Sequence, residues 1–221
     1  MTVNDPRLFS YVVKHDSGFA PNPYAGALTL ATCKPRIRAT AIVGDWLLGT
    51  GSVQGVGYGR VVYAGKVCEV LAIDEYGMDP RFASKRPVLQ QSWRRHGDNI
   101  YFRDRNANWH QRRSIHHSLQ DIEHDLGGKN VLICEKFWYF GAKAPLLPDA
   151  FLRLCKKGQG HKCESSPVII TELVAWLAQF DSTVLGSPYD DRTNDHKLPR
   201  CRIINPEISS SSVEERSYDL R

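Results

Sequence analysis

The sequence lacks the long apolar runs that mark membrane proteins and exported proteins. Nowhere in its 221 residues does a stretch approach the roughly 20 apolar residues that a membrane-spanning helix needs. Residues 1–6 contain no cationic region followed by an apolar stretch, so they do not resemble a secretion signal. We therefore expect a soluble, cytoplasmic protein that makes no contact with a membrane.

Closely paired cysteines are also absent. The six cysteines show no CxxC spacing, and in a chain without a secretion signal we expect reduced thiols rather than a disulfide framework. Cys155, His161 and Cys163 offer three zinc ligands, but their spacing differs from that of a zinc knuckle, so a glycine-rich turn is the favoured interpretation. We therefore expect no metal and no other cofactor. Cys33 lies near cations, but the sequence assigns no catalytic base to it.

No phosphate-binding loop of a familiar kind is present. Five glycines lie between residues 49 and 59, but the segment has no GK[ST] ending. It also connects two predicted strands rather than a strand and a helix. We interpret it as a mobile hairpin that could close over a ligand.

What the sequence does contain is typical of a globular protein with one domain. Hydrophobic residues make up 42% of the chain and charged residues 24%, which argues against extensive disorder. The length is sufficient for one core that folds without disulfides or metal. We assign the domain to residues 1–185 and interpret residues 186–221 as a polar C-terminal extension that is partly disordered.

The net charge of +5 is unevenly distributed. Residues 81–113 contain nine basic residues against two acids, and the aromatic residues Trp93, Tyr101, Phe102 and Trp109 lie in the same stretch. Cations that neutralise phosphates, together with rings that stack on bases, are typical of a nucleic-acid-binding surface. The alternative is a solvated insertion whose aromatic residues pack onto the core.

Local patterns predict a mixture of strands and helices. Strands are expected at residues 8–13, 60–73 and 131–140, and helices at residues 114–126, 148–155 and 171–180. In the strand at 60–73 both faces are mostly apolar. Such a strand is covered on both sides or belongs to a closed barrel.

Three polar side chains recur on one face of the helix predicted at residues 114–126. His117, Asp121 and His124 stand at i, i+4 and i+7, which suits a metal site or acid–base groups. The alternative is the solvated side of an amphipathic helix.

A proline-rich loop at residues 15–23 and the pair Asp98-Asn99 supply further donors and acceptors. His15, Asp16 and Asn22 stand in this loop, and carboxylate and amide groups can pair with the edge of a nucleobase. The alternative is an Asx-type turn that satisfies its own backbone.

Several segments together resemble the nucleotide modification-associated domain 2 family, small proteins of bacteria and phages. They are His15-Asp-Ser-Gly-Phe-Ala-Pro-Asn-Pro, residues 30–38, residues 43–46 with 49–52, and residues 97–101, 137–141 and 160–162. The resemblance runs from about residue 8 to about residue 180. It implies a setting in DNA base hypermodification, in which the expected partner is nucleic acid, specifically DNA, together with other proteins of a base-modification system.

A second resemblance concerns the fold. Val-Gly-Asp-Trp at residues 43–46, followed by the strand at 60–73 and by Glu75-Tyr76, is similar to the PUA-like domains. This implies an α+β fold, a small mixed β-barrel flanked by helices, in which some members hold a base flipped from a duplex. The base pocket would then comprise Asp16, Asn22, Trp46, Asp98, Asn99, Tyr101 and Tyr139, and the phosphates would be held by Lys34, Arg36, Arg38, Arg94, Arg95 and Arg112.

Two functional hypotheses follow from these patterns. The first is a protein that binds nucleic acid and recognises a modified or flipped base without chemistry of its own. The alternative is an enzyme acting on a base or nucleotide, with His15, Asp16 and His117 as acid–base candidates. The sequence does not decide between them.

Overall fold

Short strands and short helices alternate along the chain. The structure is a computed structural model, which describes residues 5–190 and 203–204. The strands are β1 (Leu8–Val13), β2 (Leu28–Leu30), β3 (Trp46–Gly51), β4 (Val61–Lys66), β5 (Glu69–Ala72), β6 (Tyr101–Arg103), β7 (Trp109–Gln111), β8 (Asn130–Cys134), β9 (Phe137–Tyr139), β10 (His161–Glu164) and β11 (Ile203–Ile204). The helices are α1 (Pro35–Thr40), α2 (Ile73–Met78), α3 (Ile122–Leu126) and α4 (Pro167–Leu177). Turns of 3₁₀ helix occupy Pro80–Lys85, Arg94–His96, Leu119–Asp121, Gly141–Lys143 and Asp149–Leu154.

The largest sheet has five strands in the order β10-β1-β3-β4-β9. Strands β1 and β3 are parallel, with Leu8 opposite Trp46 and Val13 opposite Gly51, and the other neighbours are antiparallel. Successive side chains of a strand point to opposite faces. Leu8 and Trp46 accordingly join a cluster with α4, whereas Phe9 and Tyr11 join the cluster on the other face. The sheet is therefore buried on both sides, as its apolar pattern predicts.

The strand predicted at residues 60–73 is divided into β4 and β5, and the strand predicted at 131–140 into β8 and β9. Both predicted strands bend at the same place. There Lys66 N–H donates to Lys136 O at 3.0 Å, and Cys68 N–H donates to Ile133 O at 2.9 Å. The two segments thus leave the first sheet and continue as β5 and β8 in a second sheet, ordered β2-β8-β5. A third sheet, β11-β7-β6, stands apart from both.

Of the expected α+β barrel fold, the coarser part is confirmed: the structure is a single domain that mixes sheets and helices. The closed PUA-like barrel is not confirmed, because β10 and β9 form opposite edges of the five-stranded sheet within the described residues. Of the predicted helices, residues 167–177 form α4, with Ile170, Leu173 and Leu177 buried. The helix predicted at 148–155 is a 3₁₀ segment.

The prediction of a helix at residues 114–126 was wrong over its first half. Ser114 Oγ accepts the N–H of His116 at 3.1 Å, so the side chain competes with helical bonding. Ser118 then caps a new start, because its Oγ accepts the N–H of Gln120 and its own N–H donates to Asp121 Oδ2. Regular helix is confined to α3, so His117 lies in a loop and shares no helical face with Asp121 and His124.

The chain segment before residue 190 is attached to the loop after β1. Asp16 Oδ2 accepts the N–H of Tyr189 at 3.0 Å, and Asp16 O accepts the N–H of Asp190 at 2.7 Å. Strand β11 pairs with β7. The rest of the C-terminal extension predicted at 186–221 lies outside the described residues. Within the described residues no helix is long and apolar enough to cross a membrane.

Candidate active site

The turn between β2 and α1 holds Cys33 in an unusual backbone conformation. Cys33 has a φ of 55° and Lys34 a φ of 42°, in the left-handed region that residues other than glycine rarely adopt. Pro35 follows at the first turn of α1 and disfavours right-handed helical geometry in the residue before it. Strain of this kind persists where the surroundings enforce it, which occurs most often at functional sites.

Cys33, His117 and Asp125 form a hydrogen-bonded series. His117 Nε2 lies 3.6 Å from Cys33 Sγ, and His117 Nδ1 lies 2.6 Å from Asp125 Oδ2. Because an ionised carboxylate only accepts, Nδ1 carries a proton and Nε2 faces the sulfur. This is the order of a nucleophile, a base and the group that orients the base.

Asp125 is fully buried and accepts several hydrogen bonds. Its Oδ1 accepts the N–H of Cys33 at 2.7 Å, and its Oδ2 accepts the hydroxyl of Tyr101 at 2.9 Å as well as His117. Burial raises the pKa of Asp125, but hydrogen bonding to His117 and the charges of His117 and Arg38 outweigh it, so the net shift is downward. The carboxylate is therefore ionised at neutral pH.

His117 is shifted in the opposite direction. Burial lowers its pKa, but the hydrogen bonds with Asp125 and Cys33 outweigh burial and raise the pKa to about 10. Its side chain is 14% exposed, and the ring of Phe19 packs edge-on against it at 4.8 Å between centroids. The imidazole is thus cationic at neutral pH and accessible at one edge.

The buried guanidinium of Arg38 connects the segments that carry this series. It donates to four backbone carbonyls, those of Cys33, Ala31, Asn130 and Asp125. These bonds fix the turn before α1 against the end of α3 and the start of β8. The sequence predicted Arg38 as a phosphate ligand, but the structure places its guanidinium inside the protein.

The two other acid–base candidates lie with the segment at 189–190. His15 is exposed, and its Nδ1 lies 3.1 Å from Asp190 Oδ2. Asp16 is buried, where it accepts the hydroxyl of Tyr139 and the N–H of Tyr189. His117 is therefore the candidate that the structure joins to a thiol and a carboxylate.

The predicted base-pocket residues are buried, and their hydrogen bonds are internal. Asn22 donates to His96 O at 2.9 Å, and Asp98 accepts the hydroxyls of Thr29 and Tyr76 at 2.6 and 2.7 Å. Asn99 donates to Tyr76 O. Trp46 and Tyr139 lie in the two clusters that cover the main sheet, and Tyr101 reaches Asp125. As recognition groups for a base, these residues stay a prediction.

The remaining predicted phosphate ligands lie in three separate segments of the chain. Lys34 and the exposed Arg36 lie at the start of α1, and Arg94 and Arg95 lie in the 3₁₀ turn Arg94–His96. Arg112 donates to Asn99 Oδ1 at 2.9 Å, and its guanidinium covers the ring of Phe102 at 4.2 Å.

Within residues 5–190 and 203–204, no group of three or more His, Cys, Asp or Glu residues could hold a metal ion. Cys155 is buried, whereas His161 and Cys163 lie along β10 and Cys163 is exposed.

Sequence reasoning missed the link between Cys33 and Asp125. The available signal was a cysteine in a turn before a helix, with histidine and aspartate elsewhere in the chain, which is the composition of a thiol active site. Their proximity in space is not expressed in the sequence spacing.

Fold and site together define a mixed α/β protein with a thiol, an imidazole and a carboxylate in hydrogen-bonded series. Compared with known families, the sequence matches nucleotide modification associated domain 2 over residues 5–195. The chain belongs to this family, and the resemblance noted from its motifs is confirmed. The family description supports a role associated with nucleotide modification. No curated protein and no solved structure gives a significant match.

Proposed function

We propose that this protein is a thiol-dependent enzyme of nucleotide modification, with Cys33 as nucleophile, His117 as acid–base group and Asp125 as the residue that positions His117. The observation that carries the proposal is the series from Cys33 Sγ through both nitrogens of His117 to Asp125 Oδ2, at 3.6 and 2.6 Å. A thiol in reach of an imidazole that a buried carboxylate orients is the arrangement of a cysteine nucleophile with its acid–base group.

The reaction class that this arrangement suits is acyl transfer. The Cys33 thiolate attacks an acyl carbon of the substrate, forming a C–S bond while the carbonyl π electrons move onto oxygen. The tetrahedral intermediate collapses and breaks the bond to the leaving amine or alcohol, which takes the proton held at His117 Nε2. Water or an acceptor amine then attacks the thioester, gives its proton to His117 and releases the acyl product. The thiolate and the imidazolium are regenerated with no change in oxidation state.

The test measures the reactivity of Cys33 directly. At about pH 6 we expect iodoacetamide to alkylate Cys33 about 10²-fold faster than the exposed Cys68, because His117 lies beside the sulfur of Cys33. Mass spectrometry of peptides identifies the alkylated residue. We also expect p-nitrophenyl acetate to acetylate Cys33 in the wild type.

The variant His117→Asn should lower the alkylation rate of Cys33 to that of Cys68. The control Cys68→Ser should leave the alkylation rate of Cys33 itself unchanged. Equal alkylation rates at Cys33 and Cys68, or an unaltered Cys33 rate in His117→Asn, would overturn the proposal.

A second candidate function is binding of nucleic acid with recognition of a modified or flipped base. It is supported by the basic stretch at 81–113, where Trp93 is 40% exposed next to Arg94 and Arg95. The ring of Trp93 also lies 5.7 Å from that of Tyr24. Cations beside an accessible aromatic ring are the elements of a stacking surface.

This second function is tested with matched duplexes, with and without hypermodified pyrimidines, at two salt concentrations. Preference for the modified duplex that persists at higher salt supports recognition of the base. Equal binding that is lost with salt means that only phosphates are contacted, which rejects base recognition.

A further inference from the structure

Three chain connections meet at one end of the strands of the main sheet, beyond the carboxyl ends of β1 and β3. Because β1 and β3 are parallel, their carboxyl ends lie side by side. Lys14 and the hairpin after Gly51 therefore leave the sheet at the same end of the strands. Strand β10 is antiparallel to β1, so the turn that precedes it, residues 156–159, also lies there. Clefts between such connections are common ligand sites in sheets with parallel strands.

A cleft of about 970 Å³ lies between these connections. Four lysines line it, Lys14, Lys34, Lys156 and Lys157, together with Tyr58 and Gln54. Among the described residues that line it, none is aspartate or glutamate. The volume is at the upper end of the range for small-molecule sites, roughly 300–1,000 Å³, and is sufficient for a nucleotide.

Two of the four lysines lie over aromatic rings, and lysine charge lowers the pKa of a neighbouring histidine. The ammonium group of Lys34 lies 4.6 Å from the centre of the Tyr11 ring, and that of Lys157 lies 5.6 Å from the centre of the Tyr58 ring. Beside the cleft, the pKa of His161 is lowered first by burial and then by the charges of neighbouring cations, among them Lys34 and Lys156. The cleft is therefore a region of positive potential with apolar surface.

We propose that this lysine cleft binds the phosphate groups of a nucleoside phosphate, with Tyr58 and Gln54 available to its base. The inference rests on the proposed function and names its substrate class. The two sites are contiguous in the chain, since Lys34 lines the cleft and follows the nucleophile Cys33 directly. The phosphate can come from a free nucleotide or from one nucleotide of a strand, and the experiment separates these sources.

Calorimetric titration of the full chain with four probes tests the proposal: thymidine triphosphate, inorganic tripolyphosphate, thymidine and oligodeoxythymidylate. We expect the triphosphate to bind and thymidine to bind far more weakly. The double variant Lys156→Gln/Lys157→Gln should weaken triphosphate binding by about tenfold or more, because each lost contact to a charged group is worth about a factor of ten. Binding of oligodeoxythymidylate alone, lost in the same variant, identifies a strand as the source of the phosphate.

The matched control is Lys66→Gln/Lys136→Gln, which removes the same charge at the other end of the strands. There Lys66 of β4 lies opposite Trp46, the first residue of β3. It should change the affinity less than about twofold. The proposal is overturned if none of the three phosphate-bearing probes binds, or if both double variants behave alike. Cys33→Ala separates the two proposals, because it abolishes acetylation and should retain nucleotide binding, whereas the cleft variant should lose binding and keep its alkylation rate.

Discussion

The most informative perturbation is the replacement of Asp125 by asparagine, which keeps the shape of the side chain and removes its charge. The carboxylate accepts from Cys33 N–H, Tyr101 and His117, all at 2.9 Å or less. In asparagine an NH₂ group replaces one of the two carboxylate oxygens. That group is itself a donor and cannot accept from Cys33, Tyr101 or His117, so at least one of the three hydrogen bonds is lost. Removing one partner of a buried ion pair costs about 3–5 kcal/mol, and we expect Asp125→Asn to lower the free energy of unfolding by about 3 kcal/mol.

The same variant should change how stability and reactivity depend on pH. The pKa of His117 is about 10 in the folded protein against an ordinary value of 6.5. With Asp125 ionised, the ion pair therefore stabilises the wild type fully at about pH 6, and this contribution is lost as the pH rises through about 10. In Asp125→Asn the unfolding free energy should vary less between these limits. Cys33 acylation should fall by about 10²–10⁴-fold, because the imidazole loses its orienting group.

Urea unfolding across this pH interval and the rate of Cys33 acetylation are the two measurements. Glu123→Gln is the matched control, because it removes an exposed carboxylate from the same short helix. If the two variants show the same unfolding free energies and the same acetylation rates, the reasoning about Asp125 is refuted.

Three further changes probe the surrounding structure. Arg38→Lys should cost about 2–4 kcal/mol of unfolding free energy, because one ammonium cannot reach four carbonyls; Arg36→Lys, at an exposed site, should cost almost nothing in the same urea titration. Gly128→Ala should cost about 1–3 kcal/mol, since the added Cβ would lie 2.4 Å from Arg38 Nη2, and an unchanged thermal midpoint would contradict this packing. Asp16→Asn should weaken the attachment of residues 189–190 and accelerate proteolysis near them, whereas cleavage at an unchanged rate would show that Tyr139 and Tyr189 do not depend on the carboxylate.

The elements that the sequence predicted well are those whose pattern is local. The apolar segment at 8–13 became β1, and the glycine-rich segment became the connection between antiparallel β3 and β4, as expected for a hairpin. The helix predicted at 114–126 failed because Ser114 and Ser118 bond to nearby backbone groups and delay the helix start. Hydrophobic periodicity carries no information about such side-chain competition.

The candidate site could not be predicted because its geometry depends on long-range strand pairing. Leu30 of β2 lies opposite Leu132 of antiparallel β8, so the chain after Leu30 lies beside the chain before Leu132. That register brings Cys33 to Asp125, 92 positions apart in sequence. His117 was identified as an acid–base candidate on a helical pattern, although its partners come from the turn before α1 and from the end of α3.

The four acceptors of Arg38 are all main-chain oxygens, so these hydrogen bonds respond differently to substitutions than to insertions and deletions. Every amino acid supplies the same carbonyl group, so the hydrogen bonds at Ala31 and Asn130 do not depend on which side chain stands there. Insertions and deletions act differently, because one residue added between α3 and β8 displaces the carbonyls themselves. In a library built on this chain, the length of the segment at 127–129 should therefore be strictly maintained, because the carbonyls of Asp125 and Asn130 must both stay within reach of Arg38.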